Sequence, residues 1–282
     1  MPRLTALQSL LATAFVVGIA ASAGIAADDQ PIPNFAPDAA TSWVPEGDDF
    51  LPPSNGPGPV TFDPAHPYVP NFTPGKEPTY RVADLSNPIL QPWVAERMKK
   101  DNAAVIAGGI PFRARERCWP PGVPAFAIYS LVEPLFFVQT RDKVVIIDRG
   151  NQEVRRVYLN VPHSGRATPS WYGESIGHYE NGDTLVVDTV GLTEKSFVDN
   201  YRTPHTAALH VVERFKLTGG GKGLELTIGI EDPGAFTAPW VAVQRFKARP
   251  DDVLDERICA ESTDNFFNQD LVPLPQAARA DF

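Results

Sequence analysis

His163, His178, His205 and Glu213 are the residues whose type and setting suit proton transfer, and Tyr179, Asp188, His210 and Trp240 those whose setting suits contact with a ligand. His163 falls in a loop at 162–169 and His205 in the loop before Leu209. Loop histidines near one mouth of a β-structure can act as general acid or base, or hold the loops together. His178 stands on a strand between apolar neighbours. Along 209–217 the strand period puts Leu209, Val211, Glu213 and Phe215 on one face. A carboxylate among three apolar residues needs a partner, such as Arg156 or Arg245, or a raised pKa that suits acid–base work. Asp188 raises the same question, and Asp232, before Pro233, suits a turn cap. Trp240 follows Pro239 and suits either the floor of a ligand site or core. His66 lies in a proline-rich arm and is set aside.

Several chemistries drop out. The His205, His210, Glu213 spacing is poor for a metal, because residues five apart on a strand point to opposite faces. No HExxH or thiolate set is present, so neither a metal nor a cofactor is expected. Gly173-Glu174-Ser175-Ile176-Gly177 has the Gly-x-Ser-x-Gly form. A nucleophile elbow lies between a strand and a helix, and here a hairpin follows, which argues against Ser175 as a nucleophile. Gly219–Gly221 lacks the Lys-Ser/Thr of a phosphate loop. The net charge of −9 carries no basic footprint for nucleic acid and disfavours anionic membranes.

The elements that must position these residues are strands. Apolar runs near 126–132, 135–140, 143–148, 153–160, 175–180, 183–190, 209–217, 224–231, 240–248 and 255–259 are separated by turn signals. The predicted fold is a mainly antiparallel up-and-down β-barrel of about 8–10 strands, with a β-sandwich as the alternative. Asn181-Gly182 marks a two-residue hairpin turn that would pair Glu180 with Asp183 and Ile176 with Val187. That register places Ile176, His178, Leu185 and Val187 on one face, and Tyr179, Val186, Asp188 and Val190 on the other. Both faces are apolar at their centre, so the barrel needs an outer cover.

Residues 1–27 read as a secretory signal peptide, with Arg3 before an apolar run and Ala21-Ser22-Ala23 or Ile25-Ala26-Ala27 as the cleavage site. Residues 28–117 form a proline-rich arm with one short helix near 91–105, its aromatics serving as anchors and residues 28–45 mobile. The barrel domain spans 118–262 and a tail spans 263–282. Cys118 and Cys259 could form a disulfide closing the β region, or remain two buried thiols.

The block 173–189, with Pro204-His205-Thr206, Val212-Glu213-Arg214-Phe215, Asp232-Pro233, Pro239-Trp240, the Cys118-Trp-Pro-Pro-Gly122 entry and the Cys259-Ala-Glu exit, resembles a family of exported bacterial proteins with a GxSxGH(W/Y)EGDTLVVDT-like block and no established activity. Two positions depart from its pattern: Glu180-Asn-Gly-Asp183 stands where many relatives have Glu-Gly-Asp, which bears on the turn type, and Asn160-Val-Pro-His163 lacks an aspartate usual in that family. Likeness to lipocalin-type barrels is one of fold only. The expectation is a periplasmic or secreted protein, not inserted in a membrane, that takes a small, partly apolar molecule into the barrel. Cofactor-free lyase, hydratase or isomerase chemistry would run on His163, His178, His205 and Glu213. The alternative is a structural or interaction protein with a packed barrel and an aromatic arm that docks a partner.

Overall fold

Nine strands close into one barrel in chain order: β1 Ser42–Pro45, β2 Leu135–Gln139, β3 Lys143–Asp148, β4 Glu153–Leu159, β5 Glu174–Glu180, β6 Thr184–Val190, β7 His210–Thr218, β8 Gly223–Glu231 and β9 Trp240–Arg249. The computed structural model describes residues 31–259 apart from 39, 71–72, 115–117, 129–132 and 151. The expected signal peptide and C-terminal tail lie outside the described residues. One helix of any length is described, α1 at Pro92–Ile106, with Pro92 at its first turn, where a missing N–H costs nothing.

The barrel is mixed rather than wholly antiparallel. β4 and β5 run parallel, pairing Val157 with Ser175 and Leu159 with Gly177. A closed ring with an odd number of strands cannot alternate direction all the way round, so one parallel seam is unavoidable. The connection 160–173 makes it by carrying the chain back along the barrel. Close approach of the neighbouring strands, β6 above all, explains the glycines of the Gly-x-Ser-x-Gly pattern. A Cβ on Gly177 would stand 2.6 Å from the Val186 carbonyl oxygen and 2.9 Å from Val157 Cγ1. Gly173 has φ +59°, and a Cβ there would stand 2.3 Å from the Val190 oxygen. The motif is built for close backbone approach.

Three further expectations are corrected. The β5–β6 turn has three residues, because Asp183 donates its N–H to the Glu180 carbonyl instead of pairing as a strand residue. Asn181 and Gly182 both take positive φ, as the Asn-Gly signal requires. The extra residue slides the register by one, so Ile176 faces Asp188 and His178 faces Val186. A one-residue slip exchanges faces: Gly177, Tyr179, Leu185 and Val187 now share the inner face, while Ile176, His178, Val186 and Asp188 share the outer one. Second, residues 42–45 are strand β1, which fills the gap between β2 and β9. The barrel therefore begins inside the arm, and β9 has no free edge for the strand expected at 255–259, which is irregular. Third, the described part of the run at 126–132 is a 3₁₀ turn, Ala125–Ile128.

The barrel interior is filled. Trp43, Phe137, Leu185, Phe215, Leu226 and Phe246 are among its fully buried side chains, each worth roughly 1.5–3 kcal/mol of burial. Phe35 enters from the arm, stacks on Phe137 at 5.2 Å and accepts a 2.8 Å bond from Trp43 Nε1 at its carbonyl. Strand directions send the arm after β1, the entry to β2, and the connections before β5, after β6 and after β8 to one end. The tight turns at 140–142, 181–183 and 219–222 occupy the other. Cys118 and Cys259 form a disulfide with Cα atoms 5.6 Å apart. Among the described residues no helix is long and apolar enough to cross a membrane. The disulfide is compatible with an exported protein.

Candidate functional site

The sequence-predicted residues divide among three places. Glu213, Tyr179 and Trp240 point into the filled barrel. Glu213 is fully buried and pairs with Arg155, not with Arg156 or Arg245. Arg155 Nη1 donates to Glu213 Oε1 at 3.0 Å and Nη2 to Oε2. The guanidinium also reaches Thr189 Oγ1 at 2.8 Å and Ser175 Oγ at 3.2 Å, and its Cζ lies 5.0 Å from the Phe126 ring centroid. Alternation along β4 points to this partner, since Arg155 shares a face with Val157 and Leu159, whereas Arg156 is exposed. Tyr179 OH accepts a 2.9 Å bond from Gln139 Nε2, which also binds the Pro33 carbonyl. Trp240 is 1 % exposed and packs edge-on against Phe236 at 5.5 Å. It is core, not the floor of a cavity.

The second place is the barrel's outer face, where the register correction brings residues together. Asp188 Oδ1 stands 3.1 Å from His163 Nε2 and 2.9 Å from His210 Nε2. His163 Nδ1 lies 2.9 Å from Glu174 Oε1. The cluster pins the crossover 160–173 to β5, β6 and β7. Among the described residues no group of three His, Cys, Asp or Glu side chains could hold a metal ion. His178, on the same face, is exposed and bonds Glu180 at 3.0 Å instead.

Burial opposes the charge on His163, but hydrogen bonds to Asp188 and Glu174 outweigh it and hold the pKa above 6.5. A histidine with a raised folded pKa gives stability that is complete below the unfolded value and lost as pH rises through the folded value. Urea midpoints should therefore fall as pH rises from about 6.5 through the folded pKa, and His163→Gln should flatten that slope. An imidazole NMR titration placing His163 at or below 6.5 would refute this.

The third place is a cavity of about 630 Å³ at the end that gathers the long connections. Its wall joins the arm, the segment around Cys118, Trp171 and the loop between β6 and β7. The rings are in mutual contact: Phe112 to Trp119 at 5.3 Å, Trp119 to Trp171 at 5.5 Å and Phe112 to Phe197 at 6.0 Å. On the arm side Arg81 lies 3.8 Å above the Tyr68 ring and pairs with Asp48 and Asp49, each at 2.7 Å. Burial lifts the Asp49 pKa to about 6, with Arg81 opposing the shift.

The loop between β6 and β7 is shaped by Asp199. Its Oδ1 accepts the N–H of Tyr201 at 2.9 Å and of Thr203 at 3.1 Å, and its Oδ2 accepts Thr203 Oγ1 at 2.8 Å. This knot sets Arg202 at φ +63° on the cavity wall. Asn200 Nδ2 donates to the carbonyls of Asp48 at 2.6 Å and Ile128 at 2.8 Å, fastening the loop to the arm.

His205 stands behind this wall and Ser196 on it. Ser196 Oγ lies 2.9 Å from His205 Nε2, and His205 Nδ1 donates to the Thr206 carbonyl at 2.9 Å. That donation leaves Nε2 as an acceptor, which shares the single Ser196 hydroxyl proton with the Thr193 carbonyl at 3.0 Å. Burial lowers the His205 pKa, so the ring is neutral at pH 7. Asp232 fixes Thr206 through its N–H at 2.6 Å and its Oγ1 at 2.7 Å. A neutral imidazole behind a wall hydroxyl is a proton relay in form.

Of the eight residues singled out, only His163, Asp188 and His210 meet, and only His205 adjoins the cavity. Sequence reasoning missed Ser196, Arg202, Trp119 and Trp171. The dense polar and aromatic run from Ser196 to His205 was the available signal. The chain matches no protein-family model and no curated protein.

Proposed function

We propose that this is an exported, periplasmic or secreted protein that binds a small, partly apolar molecule, in the aromatic cavity at the end of the barrel and not in its lumen. The observation that carries the reading is the cavity itself. Its volume of about 630 Å³ suits a small organic molecule, and an aromatic wall stands beside a few fixed polar groups. Cofactor-free acid–base chemistry on that molecule, of the lyase, hydratase or isomerase kind, would use Ser196 Oγ backed by His205 Nε2, with Asp232 as a positioning residue. Glu213, spent on Arg155, is given no part. The second reading, an interaction protein, is favoured by the filled barrel.

Trp119 and Trp171 supply the test, because both line the cavity. Titration with a neutral aromatic probe such as 2-naphthol should quench part of the tryptophan emission saturably. Trp119→Phe combined with Trp171→Phe should remove that signal. Absence of saturable quenching by any small aromatic, together with native mass spectra free of a co-purifying molecule, would leave the interaction reading.

A further inference from the structure

Arg202 says more about the ligand, in an argument that rests on the binding reading above. Its side chain is 7 % exposed, and its ion-pair partner is the more exposed Asp101, whose Oδ2 lies 3.6 Å from Nε. That is too far for a hydrogen bond, and the buried Nε–H finds no acceptor. The guanidinium donates a 3.4 Å bond from Nη2 to the Arg81 carbonyl. Asp199 lies near enough to act on it through charge but makes no hydrogen bond to it, its oxygens accepting from Tyr201 and Thr203. A guanidinium has five N–H donors and is costly to bury without an anion. The contrast with Arg155 is direct: that buried arginine has its carboxylate and two hydroxyls.

The surroundings hold Arg202 in place. The Asp199 knot keeps it in the left-handed region, which a residue with a side chain occupies at a cost. Lys195 and Arg202 line the cavity beside Arg81, which is itself paired with Asp48 and Asp49. Opposite the charge stands the wall of Phe112, Trp119, Trp171 and Phe197.

We propose that the cavity takes a small aromatic carboxylate, one or two rings bearing a single carboxylate group. The ring lies on the Trp119–Trp171 wall, and the carboxylate accepts from the Arg202 fork. One under-partnered guanidinium matches one negative charge, and its planar donors match the two carboxylate oxygens. An anion there satisfies a cation that the protein has already buried, so desolvating the arginine is not a new cost of binding.

The test pairs acids with their neutral isosteres. Cinnamate and 2-naphthoate are titrated calorimetrically at pH 7.5 beside cinnamamide and 2-naphthamide. The acids are expected to bind roughly 10- to 100-fold tighter, the scale of a hydrogen bond to a charged group. Arg202→Gln should bring acid and amide to similar affinity, and Arg202→Lys should keep part of the preference. The wild-type comparison decides the matter even if a variant fails to fold. Amides binding as well as acids would overturn the assignment of an anion and leave the cavity a neutral-ligand site. No binding by either series would overturn both this inference and the binding reading beneath it.

Discussion

Glu213→Ala should destabilise the protein by about 3–5 kcal/mol, the cost of stranding one partner of a buried ion pair. Arg155 is 1 % exposed and Glu213 is fully buried. Removing the carboxylate leaves a cation under Phe126 with only the Ser175 and Thr189 hydroxyls for company. Hydroxyls accept hydrogen bonds but do not neutralise charge. Against a typical total of about 5–15 kcal/mol, such a loss approaches unfolding. Urea denaturation followed by tryptophan emission measures it. The informative control is Arg155→Met combined with Glu213→Leu, which removes both charges and keeps apolar volume. Replacing a whole buried pair this way is often neutral or stabilising, so the double variant should be far more stable than Glu213→Ala. A single-variant cost below about 1 kcal/mol would show that water reaches the pair. A double variant as unstable as the single would show that the network specifies the packing of β4, β5, β6 and β7.

Replacing Cys118 and Cys259 by serine is the second large effect. The bridge spans 141 residues of sequence, for which the chain-entropy model gives about 5 kcal/mol. For a chain of this size that corresponds to a fall in Tm of roughly 10–20 °C. Calorimetry of oxidised and reduced protein reads it directly. The loss should not be confined to stability, because Cys118 precedes Trp119 and sits close in sequence to Phe112. Reduction should therefore weaken probe quenching at temperatures where the barrel is still folded. A fall in Tm below about 3 °C would mean that ring packing holds this wall without the bridge.

The barrel was legible because its strands are separated by short turns with strong local chemistry, and α1 because Trp93, Val94 and Met98 fall at helical spacing. Three things were not. The parallel seam depends on how many strands close the ring, which no local pattern counts. The β5–β6 register turned on whether Asp183 belongs to strand or turn, and both choices satisfy an Asn-Gly signal. β1 is four residues long within a proline-rich segment, and it becomes a strand only because β2 and β9 leave a gap there. Site residues followed the same rule. Glu213 was recognisable as a buried carboxylate from alternation on its own strand. Arg202 and Trp171 became neighbours only through the long connections, which carry no periodicity.

β1 and β9 pair with each other, so the first strand of the chain completes its ladder against the last. A chain made from its N-terminus must keep β1 waiting until β9 exists. Until then the sheet has two open edges, and the ion pair between β4 and β7 is exposed to water. Closure is thus a late, long-range event of the kind that slows folding and leaves strand edges available to other chains. The interval between the emergence of residue 45 and residue 249 is a period of vulnerability.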